Sequence, residues 1–399
     1  MKISQNARKA IYIGTLFSIA YLVVYIARNA LSAVTPQMLA EGYTEAYIGS
    51  ISSLYFTCYA VGQLINGFIG DKIRAKWMMC LGLLFAGATN LALNVFPLSP
   101  TLAMITYGAT GFFLSMIYAP MTKVVSENTE PLHAVRCSLG YTFSSSIGSP
   151  AAGLLAAGLV WQSVFAVSSG LLAVTAIAVF FFITLFERRG MVRHGQYQPQ
   201  GKNRFDFRVL VRHRIIKFTL VSILTGVVRT SVVFWLPTYI NQYLGYDAST
   251  SATIFTVATL LISASAFIAV FIYERLHQNM DLSLLLMFGG ATAFFLLTYL
   301  VKLPMINIVF IVLAITSSNA ATSILWGIYC PSLRDTGMVS TATGFLDFVS
   351  YMAAAVANLV FSNAVSAIGW GNLILIWIAL MLVGTVASLP FGRMKKATE

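Results

Sequence analysis

YLVVYIARNALSAVTP (Tyr21–Pro36) sets an arginine, Arg28, in the middle of a run otherwise apolar enough for a membrane core. A charged side chain at the centre of a spanning helix costs about 2.5–3.5 kcal/mol on insertion scales, so such a residue marks a functional position by default. The pattern returns as GVVRTSVVFWLP (Gly226–Pro237), where Arg229 precedes Pro237 by the same eight positions that separate Arg28 from Pro36. Two intramembrane arginines at matching places describe a chain built from two related halves.

Working outward, the whole composition agrees with a membrane environment. Of 399 residues, 58% are hydrophobic and only 10% charged, with mean hydropathy +0.80. Soluble domains carry about 25% charged residues. Apolar runs of about 20 residues, the length that crosses about 30 Å of hydrocarbon, lie near 10–33, 45–69, 77–96, 101–122, 137–160, 163–186, 216–240, 250–273, 282–301, 304–330, 340–363 and 371–391. The expected fold is an all-α membrane protein of twelve transmembrane helices in two pseudo-symmetric six-helix bundles. Residues 1–186 and 216–399 form the bundles, and the polar, basic stretch 187–215 is a cytoplasmic linker lying along the membrane surface.

The net charge of +12 invites a nucleic-acid partner, but its placement argues against one. If both termini are cytoplasmic, all but three of the 25 Lys and Arg fall on that side, the exceptions being Arg28, Arg229 and Lys302. This is the positive-inside asymmetry of a multi-pass protein. The first run is too long, and too polar around Arg28, for a cleaved signal peptide. Cys58, Cys80, Cys137 and Cys330 are scattered through apolar segments with no paired spacing and read as buried small hydrophobes.

Further landmarks keep the register of the repeat. GYTEAYIGSI at Gly42 answers GYDASTSATI at Gly245, and DKIR at Asp71 answers ERLH at Glu274. Parallel six-span repeats are the organisation of transporters whose substrate site lies near the bilayer midplane where the halves meet. Tyr21, Tyr25, Arg28 and Ser32 share one helical face, as do Tyr59 with Gln63 and Asp347 with Tyr351. Lys123 marks the expected cytoplasmic end of the fourth span.

Arginine keeps its proton, and its planar fork matches carboxylate or phosphate oxygens. Arg28 and Arg229 therefore predict a bound anion. The bland reading makes each arginine a helix-positioning partner for a backbone carbonyl or for Asp347. Asp347, the one carboxylate within the spans, has three open roles: ion-pair partner, proton carrier or acceptor for a substrate hydroxyl. The spans hold no histidine, no metal-ligand cluster and no nucleophile with a nearby base, so no enzyme, metal or cofactor is expected.

The loop DKIRAK (71–76) resembles the signature of the major facilitator superfamily. YLVVYIARNALSAVTP, CYAVGQLINGFIGDK, GVVRTSVVFWLPTYI and STATGFLDFVSYMAAA together resemble one branch, the organophosphate:phosphate antiporters, over both halves. The resemblance implies that Arg28 and Arg229 hold a phosphoryl group and that Tyr21, Tyr25 and Tyr59 line the same site. It implies exchange of a phosphorylated metabolite for inorganic phosphate by rocker-switch alternating access, in a monomer of the cell inner membrane with membrane lipids as its other partners. Asp71, Lys72, Arg74, Glu274 and Arg275 would form a conformational latch. Gln63 stands where one member of the branch has lysine, and a helix 5 histidine is replaced near Phe143 or Ser144. Asp347 stands where a small residue is usual. These departures leave open a proton-coupled symporter of sugar acids or carboxylates; RNALSAVTPQM and WLPTYI resemble that branch, whose acid before the first arginine is Ala27 here. A membrane-bound anion sensor is the reading from another class.

Overall fold

The computed structural model describes residues 5–70, 73–95, 99–193, 211–333 and 339–389. Every described element is helical. In hydrocarbon each backbone N–H and C=O must be satisfied within its own segment, and a helix does this without a partner. The helices are α1 (Gln5–Ala40), α2 (Glu45–Gly70), α3 (Ala75–Val95), α4 (Pro100–Asn128), α5 (Pro131–Gly158) and α6 (Trp161–Arg188). They continue as α7 (Ile215–Gln242), α8 (Ala248–Arg275), α9 (Met280–Leu300), α10 (Pro304–Tyr329), α11 (339–368) and α12 (370–388). Among the described residues this makes twelve passages, as the apolar runs predict.

The last two passages form one unbroken stretch, Val339–Ser388, except at Gly369, whose φ of 75° and ψ of 169° turn the chain. An L-residue rarely adopts that backbone, so glycine separates the two spans. Proline acts differently. α1 does not stop at Pro36 but runs four residues further to Ala40, and Pro237 and Pro150 also sit inside helices. In membrane helices proline inside a helix is tolerated. α4 relaxes at Ser115–Ile117 and then runs past Lys123 to Asn128, so Lys123 lies within the helix rather than at its end.

Two compact units emerge. The first comprises residues 1–203, 234–260 and 354–366; the second comprises 204–233, 261–353 and 367–399. In the first, small polar side chains join the helices: Asn90 Nδ2 donates to Ser168 and Ser169 Oγ at 3.0 Å each, and Asn66 Nδ2 to Ser115 Oγ at 2.7 Å. Such bonds link apolar helices where no hydrophobic driving force separates helix from lipid. At the loop end of α1, Trp161 Nε1 donates to Glu41 at 2.7 Å and Gln242 to Glu45 at 2.7 Å. Nearby, Asn358 Nδ2 donates to Ser52 Oγ at 2.9 Å. In the second unit Ser222 Oγ donates to Leu346 O at 2.6 Å, tying α7 to α11.

Candidate functional site

Arg28 is buried, 8% exposed, in an unbroken stretch of α1. Its guanidinium carbon lies 5.0 Å from the ring centre of Tyr25, 5.1 Å from Tyr59 and 5.4 Å from Phe56. A cation over an aromatic face gains about 0.5–1 kcal/mol when exposed and about 2 when desolvated. Three rings from α1 and α2 thus offset a large part of the cost of burying the charge.

A second layer of tyrosines backs this cage. Tyr21 packs edge-on against Tyr25 at 4.9 Å and lies 5.7 Å from Tyr118 and 6.0 Å from Tyr141. Tyr25 in turn is packed closely by α5: a Cβ at Gly148 would come within 2.3 Å of Tyr25 Cβ. Tyr59, fully buried, leans on Tyr55 in α2, and Gln63 one turn on is half-buried. The predicted residues Tyr21, Tyr25, Arg28 and Tyr59 therefore come together. Ser32, on the same face, instead donates to Phe234 O at 2.6 Å.

Arg229 sits in a different setting. It lies within a π-helical turn, Val227–Val232, inserted in α7, and is half-buried. Such turns are rare and frequently occur at functional sites. Arg229 Nη2 lies 3.3 Å from Tyr351 OH, and the guanidinium stands 5.8 Å from that ring's centre. Tyr351 is buried, and Asp347, one turn earlier on α11, is half-buried. The approach of α7 to α11 needs Gly226, where a Cβ would meet Ser350 Oγ at 2.3 Å and Ser350 O at 2.7 Å. Arg229 and Tyr351, each a predicted site residue, are thus in contact, a pairing the sequence did not indicate.

Of the proposed latch, Asp71 and Lys72 lie outside the described residues. Arg74, Glu274 and Arg275 are exposed, with Arg275 over Phe271 at 5.2 Å. The ionic ties at these helix ends use other residues. Lys76 Nζ bonds Glu187 at 2.5 Å, joining α3 to α6. Asp281, at the start of α9, accepts both guanidinium nitrogens of Arg214 at 2.9–3.0 Å and Lys217 at 2.8 Å. Sequence reasoning also missed Phe56, although its spacing of three from Tyr59 puts both on one face of α2, and it missed the π-helical turn, for which no local signal exists.

With this geometry in hand, residues 17–358 match the model of the Major Facilitator Superfamily, and the chain belongs to that family. It is therefore a multi-pass membrane protein. The chain is 30% identical over 74 residues to the membrane sensor protein UhpC of Salmonella typhimurium, and 24% identical over 109 residues to a probable hexose phosphate transport protein of Chlamydia pneumoniae. These matches cover 18% and 27% of the chain and only 17% and 24% of those relatives. A glycerol-3-phosphate transporter of Bacillus subtilis aligns over 98% of this chain and 94% of its own length at 20% identity. In fold, the chain resembles a D-xylose-proton symporter (TM-score 0.73, 12% identity, covering 96% of this chain and 98% of that one). It also resembles a bacterial homologue of the human lysosomal transporter Spinster (TM-score 0.76, 10% identity, 95% and 96% covered).

Proposed function

We propose that the protein is a secondary active transporter of a small organic anion, foremost a phosphorylated metabolite exchanged for inorganic phosphate across the cell inner membrane by alternating access. Arg28 and Arg229 each contribute a guanidinium to the phosphoryl group. Tyr21, Tyr25, Tyr59, Gln63, Asp347 and Tyr351 complete the binding set. The observation that carries the reading is Arg28, an intramembrane cation ringed by Tyr25, Phe56 and Tyr59. The rings stabilise the buried charge, and a guanidinium's planar fork suits a phosphate or carboxylate. The relatives named for hexose phosphate and glycerol-3-phosphate supply the substrate class. In this reading the protein is a monomer with cytoplasmic termini, two six-helix bundles at 1–186 and 216–399, and a basic linker at 187–215. Asp71, Lys72, Arg74, Glu274 and Arg275 act as the cytoplasmic latch.

Counterflow in proteoliposomes tests it. Phosphate loaded inside the vesicles accelerates uptake of a labelled phosphate ester, and an imposed pH gradient does not. The opposite result makes the protein a proton-coupled symporter, with Asp347 as its proton site; Asp347→Asn then abolishes pH dependence while binding persists. A sensor is the second reading, favoured by the match to UhpC. Binding of phosphate esters without any accumulation by the purified protein would establish it.

A further inference from the structure

Ile11, Thr15 and Ile19 recur every fourth residue along α1 and share one helical face. A cavity opens on each side of that face. One, of about 410 Å³, lies against α5 and extends along Gly140 and Ser144 to Arg136 and His133. The other, of about 550 Å³, lies against α6, is walled by Leu16, Phe182, Leu185 and Phe186, and ends at Arg189. Ile11, Thr15 and Ile19 line both. The cavities are therefore two lobes of one groove straddling α1, and they open sideways, since Ile11 and Ile19 are 52% and 54% exposed.

Each lobe is mainly apolar, and each is bordered by an exposed arginine. Among the described residues neither arginine is held in an ion pair. Arg8 and Arg188 add exposed positive charge at these helix ends, with half-buried Lys9 beside Arg8 in sequence. The acids there are engaged: Glu130 accepts from Asn6 at 2.6 Å and lies 3.9 Å from His133, and Glu187 holds Lys76. Two apolar slots that share a wall and carry a cation each match a molecule with two acyl chains and one phosphate.

We propose that this groove holds one anionic glycerophospholipid, an acyl chain in each lobe and the phosphate on Arg136 and Arg189. A zwitterionic headgroup would bring a further cation among Arg8, Lys9, Arg136, Arg188 and Arg189, which selects the anionic class. Basic pockets between membrane helices hold such headgroups for the same reason. The site is separate from Arg28 and Arg229 and stands whether or not the chain exchanges phosphate esters.

Native mass spectrometry of the delipidated full-length protein, with phosphatidylglycerol or phosphatidylcholine added back, tests the assignment. Wild type retains one phosphatidylglycerol per chain in preference to phosphatidylcholine. R136Q and R189Q each weaken retention about fivefold, and together about thirtyfold. R136K and R189K keep most of it. I19W, which fills the shared wall, lowers retention with both arginines intact and covers the case in which the double variant does not fold. Equal retention of both lipids, indifference to the double substitution, or displacement of the lipid by inorganic phosphate would overturn the proposal.

Discussion

Arg28 and Arg229 occupy equivalent places in the two halves, yet their surroundings differ. Arg28 rises from a regular helix into a cage of three rings at 5.0–5.4 Å. Arg229 rises from a π-helical turn and meets one ring, that of Tyr351, 5.8 Å from its centre with Nη2 3.3 Å from its hydroxyl. A cage fixes the cation in position and stabilises it by dispersion and quadrupole attraction, neither of which competes for its N–H donors. The ring beside Arg229 stands farther off, at 5.8 Å, and the π-helical turn that carries it is of a kind frequent at functional sites. In the proposed function, Arg28 is the anchor of the anion site and Arg229 the group that adjusts to it.

Lysine at the two positions gives the largest expected effect. Arg28→Lys and Arg229→Lys each remove the fork, and hydrogen bonds to charged groups contribute about 1.5–3 kcal/mol. Affinity for a phosphate ester, read by calorimetry on the purified protein, falls at least about tenfold in both and transport is lost, with the greater loss at Arg28. An equal loss at both sites would erase the distinction between anchor and adjuster; wild-type binding in either would remove that arginine from the site.

Next come the glycines behind each arginine. A helical Gly→Ala change ordinarily gains about 0.8–1 kcal/mol from propensity. At Gly148 and Gly226 the new methyl would lie 2.3 Å from Tyr25 Cβ and from Ser350 Oγ, respectively. Overpacking costs about 1–3 kcal/mol, so both substitutions are net destabilising, which thermal unfolding in detergent reports. Gly148→Ala also weakens ligand binding, because the clash bears on the cage itself. A rise in melting temperature for either would mean that the helices are not so closely apposed.

The smaller effects separate ring from hydroxyl. Phe56→Leu removes one face of the cage and lowers affinity by about 0.5–2 kcal/mol. Tyr351→Phe keeps the ring and removes a long contact, at about 0.5–1.5 kcal/mol. A Phe56→Leu protein that binds like wild type would show the cage to be packing only. At the periphery, Asn279, whose side chain accepts from Asp281 N and Leu282 N at 3.0 and 3.1 Å, caps α9. Asn279→Ala lowers stability by about 1 kcal/mol and leaves ligand affinity unchanged.

Much of this site was legible before any coordinates. Helical spacing alone aligned Tyr21 and Tyr25 with Arg28 and set Tyr351 on a face with Asp347. Spacing did not say which neighbouring helix would meet that face, so Phe56, Tyr118 and Tyr141 went unread. The end of α1 was not legible: the helix continues through Pro36 to Ala40. The ionic ties were illegible for another reason. Lys76 and Glu187 are 111 positions apart, and Arg214 is 67 from Asp281. Many acid–base pairs are compatible with so basic a chain, and only packing selects among them.

The amino-acid order by itself determined that this chain crosses a membrane in twelve helical passages, that its halves repeat, and that each half carries an arginine among apolar neighbours. These follow from free energies summed within single segments, hydrocarbon transfer over about 20 residues at a time, for which no partner need be known. Only the tertiary structure decided that one arginine is enclosed by three rings while its counterpart stands on a π-helical turn. It also decided that α1, α5 and α6 leave a two-lobed groove between them. Those outcomes depend on how each helix is rotated against its neighbours, and that rotation is set by contacts between residues far apart in the chain.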